Sequence, residues 1–436
     1  MLCACLVAPC PFFQYTFCMS DYARIFLKAK EEREITQGFP WAFDNEISHA
    51  KYLASDGSGW KTVPLAECAV ADGSGIELFT KAGGFLGTGI INRKSKITVR
   101  LISREHADTV FENTKSFIEK RVRDAVNIRR VSYKDSESCR LIFAEADLLP
   151  GLIVERFVDA SGLTYLVVQF HALACEVFRK EIVHALVKTC GVQGIYERSD
   201  AAIREKEGLA EKSGWIYGSG DETILINENG MLFYVDMAHG QKTGFFLDQK
   251  DNRKAAAAFC HGKRVLDAFS HTGAFALYAA ASGAKEVIAA EISEAAVAMI
   301  AKNSTVNKAG SVVKTVCADV FDLLKKYEEA GEKFDVIILD PPAFAKSAKS
   351  IQKAYGGYKE INLRAMRLLR DGGILVTCSC STFFDAPTFY DMLMHAATDS
   401  HRRVQILEKR GAAPDHPVLL GYERSEYLKC AIARVL

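Results

Sequence analysis

From His261 to Cys378 the chain alternates short apolar runs with longer amphipathic ones, and most of the apolar runs end on an acid or lead into one. The apolar runs are Arg264–Asp267, Val287–Glu291, Val312–Ala318, Phe334–Asp340 and Gly373–Cys378. Helical stretches between them reach about Ser282 and Asn307 and recur near Asn362–Leu369. Strands that are apolar on both faces and separated by helices predict a parallel, doubly wound α/β sheet. In such a sheet ligands bind outside the carboxyl ends of the strands, near the point where the strand order reverses. The polar residues at those ends are therefore read together.

The first strand ends at Asp267 and runs into Phe269, Ser270, Thr272 and Gly273, a small-residue turn that lets a ligand approach the backbone. The second ends at Glu291, an acid able to accept both hydroxyls of a ribose; the third leads to Asp319 and the fourth ends at Asp340. A lone acid at a strand end is more often a cap or a turn residue. Their order, at spacings of about one βα unit, predicts an adenosine-type cofactor, and the absence of GxGxxG separates the site from a dehydrogenase.

Asp340-Pro341-Pro342-Ala343-Phe344 follows the fourth strand. The prolines stiffen the turn, and Phe344 can stack on a base or serve as an ordinary core residue. The fifth strand ends in Thr377-Cys378-Ser379-Cys380-Ser381, which puts a thiol at the mouth of the cofactor site. Carbon 5 of cytosine becomes nucleophilic when a thiolate adds to carbon 6, so Cys380 reads as a nucleophile; the bland alternative is an inert buried cysteine. Strand alternation would point Cys378 to the same face, as a competitor. Upstream, Gly240–Gln249 sets Lys242, Asp248 and Gln249 around Phe245 and Phe246. That composition suits a loop closing over a substrate, or a capped helix start.

A length of 436 residues implies two or three domains. The first eighteen residues are apolar, lack a preceding positive charge and are expected to reflect a start assigned too early, with Met19 as the true beginning. Residues 19–92 show alternation broken by turns such as Asp72-Gly73-Ser74-Gly75, the texture of a small β-barrel. Residues 93–205 mix a helix (Ala107–Asn127), a hairpin (Gly151–Phe157 with Leu163–Phe170) and a helix (Cys175–Thr189), and 206–436 hold the catalytic sheet. The net charge of +1 is uninformative, but residues 92–134 carry twelve Lys/Arg against five Asp/Glu, a local +7. Such a stretch reads as a phosphate-contacting patch or as a solvated helix face. Thirteen cysteines without a CxxC pair predict no metal site. Scattered thiols suit a reducing cytoplasm, and no run is long and apolar enough to predict a membrane helix.

These residues resemble the large-subunit ribosomal RNA cytosine-5 methyltransferases of the RlmI type. The resemblance runs from about residue 21 to the end. It rests on Phe39-Pro-Trp41-Ala-Phe43, Leu149-Pro-Gly-Leu-Ile153, Tyr196-Glu-Arg-Ser-Asp200, His239-Gly-Gln-Lys-Thr-Gly244, Phe269-Ser-His-Thr-Gly273, Asp340-Pro-Pro342, Ser379-Cys-Ser381, Asp415-His-Pro417 and Tyr427-Leu-Lys429. It implies a PUA-type RNA-binding barrel, a central α+β domain and a Rossmann-like class I methyltransferase domain using S-adenosyl-L-methionine. Cys380 is then the nucleophile, with Asp340 beside it. Asp267, Phe269, Ser270, Thr272, Gly273, Glu291, Asp319 and Asp340 would hold the cofactor, and Lys242, Phe245, Asp248, Gln249, Pro341, Pro342 and Phe344 the substrate. Ribosomal RNA is the implied partner, and a homodimer is left open. Two departures from that pattern stand out: His271 replaces an expected Tyr and Cys378 an expected Phe; and, unlike many cytosine-5 RNA methyltransferases, the chain has no Cys beside Pro341 and Pro342. The competing readings are a methyltransferase of an exocyclic amine or purine, and a non-catalytic RNA-binding assembly factor. A small-molecule methyltransferase would not require the barrel.

Overall fold

The computed structural model describes residues 22–345 and 347–436. The expectation for residues 1–18 lies outside the described residues. Two compact units appear, one of residues 22–33 and 41–117, the other of residues 34–40 and 118–436.

The first unit is a seven-stranded, mostly antiparallel sheet. Its strands are β1 (Ala23–Leu27), β2 (Trp41–Phe43), β3 (Ile47–Leu53), β4 (Trp60–Val63), β5 (Gly75–Phe79), β6 (Phe85–Ile91) and β7 (Ile97–Ser103). They lie in the order β2-β7-β6-β5-β1-β3-β4. Alternation carries Ile25, Leu27, Ile76, Leu78 and Val99 into its core. The sheet continues past residue 92, where the sequence reading ended it, because β7 pairs with both β2 and β6.

The second unit opens with a five-stranded sheet ordered β12-β11-β10-β9-β8. It comprises β8 (Cys139–Phe143), β9 (Leu152–Val158), β10 (Thr164–Phe170), β11 (Gly194–Ser199) and β12 (Lys212–Gly218). The β9–β10 hairpin matches its sequence signal, while the helix expected over Ala107–Asn127 is divided into Ala107–Phe111 and Thr114–Arg129. A separate hairpin of β13 (Thr223–Glu228) and β14 (Met231–Asp236) follows.

The catalytic sheet comprises β15 (Arg264–Ala268), β16 (Glu286–Glu291), β17 (Val313–Cys317), β18 (Phe334–Leu339), β19 (Leu369–Ser379), β20 (Val404–Arg410) and β21 (Lys429–Val435). Its order is β17-β16-β15-β18-β19-β21-β20, so the order reverses between β15 and β18. The first five strands are parallel, as expected. Two further strands, absent from the expectation drawn from the sequence, extend one edge, where β21 runs antiparallel to β19 and β20. No crossover helix separates β20 from β21, so the chain returns in the opposite direction and fills the gap beside β19. Alternate residues bury on opposite faces: Val265, Val287, Val336 and Val376 on one, Leu266, Ile288, Ile337 and Leu375 on the other.

Several cations of the basic stretch 92–134 have partners within the fold. Arg93 pairs with Asp72, Lys120 with Asp124, Arg130 with Asp135, and buried Arg129 with Asp147. Arg100 is buried with its guanidinium 5.0 Å from the Trp41 ring. Burial takes Arg100 and Arg129 out of a solvated face, while Lys120 and Arg130 stay exposed in their pairs.

Candidate active site

Parallel pairing brings the carboxyl ends of β15, β16, β18 and β19 to one edge of the sheet. After β15 the chain turns through Phe269 and His271, both left-handed at φ 62° and 51°. Such a conformation strains a side-chain-bearing residue and is held here by hydrogen bonds. The buried Asp267 carboxylate accepts from the Ser270 hydroxyl (2.5 Å) and the Ala276 amide (3.0 Å). Glu291 accepts from the His271 amide through one oxygen and from the Ile292 and Ser293 amides through the other. Gly273, at φ 84°, begins the helix Ala274–Ala281. A Cβ there would lie 2.9 Å from Ile300, so the turn requires glycine.

A cavity of about 360 Å³ opens at this edge, within the usual size of small-molecule sites. Its cofactor-side wall includes Phe269, Glu291, Ile292, Asp319, Val320 and Phe321. Asp319 also caps its helix by accepting from the Phe321 amide (2.8 Å). Asp340, Pro341, Pro342, Phe344 and Cys380 line the cavity too, together with Lys242, Phe246, Asp248, Gln249 and His271.

The loop bearing Lys242 is folded tightly. A Cβ on Gly240 or Gly244 would come within 2.4 or 2.5 Å of the Asp236 carbonyl oxygen. Arg198 donates to the carbonyls of Met237 and Gly240, and the Thr243 hydroxyl bonds buried Glu155. Lys242 itself is left-handed at φ 54°. Its ammonium lies 3.0 Å from Asp248 and 4.4 Å from the Phe246 ring centroid.

Burial pulls the Asp248 carboxyl up, but Lys242, His416 and the hydroxyl of Tyr427 outweigh it and hold the group well below the usual carboxylate range. Asp340 behaves oppositely. Burial, reinforced by the charge of Asp248, pushes it up to about 7, against the hydrogen bond it accepts from Gln249 (2.9 Å). Burial also pushes Cys380 up to about 11; Lys242 opposes this, while Asp340 and Asp248 add to it. His271 is pushed down to about 4 by burial and by Lys242, so its ring is neutral at pH 7.

Of the expected site residues, Lys242, Asp248, Gln249, Phe269, Glu291, Asp319, Asp340, Pro341, Pro342, Phe344 and Cys380 meet at this cavity. Asp267, Ser270, Thr272 and Gly273 stand behind it, buried in the turn they brace. Phe245 is corrected: it is 1% exposed and packs on Phe233 and under Arg253, while Phe246 faces the cavity. Adjacent residues in an irregular segment diverge, and composition could not decide which Phe turned inward. Cys378 is corrected too. It is fully buried against Cys430 on β21, whereas Cys380 lies one residue beyond the end of β19, where strand alternation no longer applies. Sequence reasoning also missed Ile292, Val320, Phe321 and Leu428, which line the cavity without any polar motif, while His271, noted only as a departure, lines it too.

Residues 202–422 match the family profile of S-adenosylmethionine-dependent methyltransferases, and residues 25–104 that of PUA-like domains. The ribosomal RNA large subunit methyltransferases I of Tolumonas auensis and Aeromonas hydrophila are 37% and 38% identical to the chain. Each alignment covers 94% of this chain and 99% of the relative. The chain belongs to the ribosomal RNA large subunit methyltransferase I family. Among solved structures, SMU.776, designated a methyltransferase and solved with SAH, superposes with a TM-score of 0.77 at 22% identity, covering 94% of this chain and 99% of its own. That likeness establishes the shared fold.

The cofactor of this methyltransferase is S-adenosyl-L-methionine, and the donor set on the cofactor side of the cavity fits it. The Glu291 oxygen that accepts only from the His271 amide keeps a further lone pair for a ribose hydroxyl, while Ile292, Val320 and Phe321 offer apolar surface to a flat base.

Two outcomes follow. Glu291→Ala should weaken S-adenosylhomocysteine binding by about 1–3 kcal/mol in calorimetry, through lost hydroxyl hydrogen bonds; unchanged affinity would remove Glu291 from the site. Alkylation of Cys380 by iodoacetamide, read by peptide mass spectrometry, should be slow at pH 7 and climb as the pH approaches about 11, because only the thiolate reacts. Removing the opposing cation in Lys242→Met should move that climb to higher pH, and an unmoved profile would separate Lys242 from the thiol.

Proposed function

We propose that the protein methylates carbon 5 of a cytosine in large-subunit ribosomal RNA, with Cys380 as the nucleophile. The observation that carries this reading is the meeting, in one cavity, of a half-buried thiol, the Asp340-Pro341-Pro342 turn and the cofactor-side acids. Methylation of an exocyclic amine would use the acid and prolines but leaves the thiol without a task. The relatives named for large-subunit ribosomal RNA supply the substrate class.

When bound, S-adenosyl-L-methionine supplies an electrophilic methyl group. The Cys380 thiolate adds to carbon 6 of the cytosine, forming the S–C bond and moving the π-electron pair to carbon 5, which takes the methyl group. Loss of the carbon-5 proton to a base then lets the electrons re-form the 5,6 double bond and expel the thiolate. Asp340, near pKa 7, presents both protonation states at neutral pH. Its neutral form donates to ring nitrogen 3 and its charged form accepts from the exocyclic amine, so it holds the Watson–Crick edge. Lys242 favours the thiolate, and Phe344 and Phe246 border the space for the base.

In this reading residues 19–92 with their continuation to Ser103, and the middle segment 93–205, serve RNA engagement, while 206–436 perform the chemistry. The site of action is the cytoplasm, where the substrate is made and a catalytic thiol stays reduced.

In a deletion strain, one cytosine of large-subunit rRNA should lose its 5-methyl group by nucleoside mass mapping. Wild-type protein should restore it and Cys380→Ala should not, although that variant still binds S-adenosylhomocysteine. Full methylation by Cys380→Ala would overturn the nucleophile and favour an amine or purine target.

A further inference from the structure

Cys380 lies in the turn after β19, beyond the last residue that pairs with β21. The turn is held instead through Ser381. Its carbonyl accepts from the buried Lys429 ammonium (2.7 Å), which also donates to the Tyr427 carbonyl (2.7 Å) and so ties the turn to the start of β21. Its hydroxyl lies 2.8 Å from that of Tyr358, on the helix Ile351–Leu368. Tyr358 and Ser381 are both 0% exposed.

The same two hydroxyls hold the loop that follows β18. The Phe344 amide donates to the Tyr358 hydroxyl (3.3 Å), and the Ala345 amide to that of Ser381 (3.1 Å). Ring packing runs alongside. The Phe344 and Tyr358 centroids are 4.6 Å apart, and a Cβ on Gly357 would stand 3.3 Å from the Phe344 ring. At the start of the loop the Cys380 sulfur is 3.9 Å from the Pro341 carbonyl oxygen. Two hydroxyls and two amides thus join the loop that borders the base to the turn that carries the thiol.

Phe344 and Ala345 lie outside any strand or helix, so their amides need acceptors from elsewhere. Both acceptors are hydroxyls of one bonded pair, and one of that pair is the residue next to the thiol. A buried hydroxyl costs free energy unless it is bonded. This pair keeps its bonds only while loop and turn keep one spacing. That spacing sets how far the sulfur stands from carbon 6 of a base gripped by Asp340, Pro341 and Pro342, and addition needs the reacting atoms about 3–3.5 Å apart. We propose that Tyr358 and Ser381 are positioning residues, a latch that holds the Cys380 sulfur at attacking distance from the base gripped by loop 340–344. The inference rests on the reading of Cys380 as the nucleophile and deepens it.

Large-subunit ribosomal RNA transcribed with 5-fluorocytidine and incubated with S-adenosyl-L-methionine reads the addition step as the rate of adduct formation. Tyr358→Phe removes one hydroxyl and keeps the ring; Ser381→Ala removes the other. Each should slow adduct formation about tenfold or more, since a misplacement of about 1 Å can cost about a hundredfold. The double variant should be faster than the product of the two single effects predicts, because the two residues share a bond. Affinities for S-adenosylhomocysteine and RNA should stay at wild-type values. So should alkylation of Cys380 by iodoacetamide, which reports the thiolate and needs no aligned base. Adduct formation at the wild-type rate in both single variants overturns the latch. Slowed addition matched by an equal fall in alkylation also overturns it, because the hydroxyls would then tune the thiol rather than place it. Methylation by the wild type without any adduct would overturn the nucleophile, and the latch with it.

Discussion

The site depends on the parallel hydrogen bonding of β15 with its two neighbours, β16 and β18. That pairing fixes the strand ends at a common level, so Asp267, Glu291 and Asp340 project at one edge without any long-range loop to position them. Because the order reverses between β15 and β18, the helices that follow diverge and leave a crevice. Shifting any one strand in register would carry its terminal acid out of reach of the others.

On this frame the protein sets three charges against one another. Asp248 is held ionised by Lys242 and Tyr427, and its negative charge helps push Asp340 towards neutrality. Two nearby carboxyls in different environments thereby acquire different roles, the usual way one pocket supplies both an acceptor and a donor. Cys380 lies in the same field, raised by burial and by both acids and lowered by Lys242. Nucleic acid brings negative charge and a bound cofactor a positive sulfonium, so thiolate formation is coupled to which partners are present. The left-handed backbone at Lys242, braced by Thr243 on Glu155, keeps that cation in place.

Most of the cavity was legible in the sequence because acids at strand ends and the Asp340-Pro341-Pro342 turn are local patterns. The five parallel strands were equally legible, since each is an apolar run between helices. Other features depend on contacts distant in sequence. Phe245 and Phe246 have the same composition and opposite fates, decided by Phe233 and Arg253. Cys378 read as a competitor to Cys380 until β21, an antiparallel strand no periodicity announced, placed Cys430 against it. The charge of residues 92–134 read as one patch although several of its arginines are tied to acids within the fold. Periodicity identifies faces; it does not identify which residues cover them.

The central claim is that the thiol of Cys380 becomes covalently attached to the base during turnover. Large-subunit ribosomal RNA carrying 5-fluorocytosine at the target, incubated with the protein and S-adenosyl-L-methionine, measures this directly, because fluorine cannot leave as the carbon-5 proton does. The account predicts a denaturation-resistant protein–RNA adduct with the wild type and with Cys378→Ala, mapping by mass spectrometry to the peptide containing Cys380. An adduct that persists in Cys380→Ala, or methylated RNA without any adduct in the wild type, would contradict it.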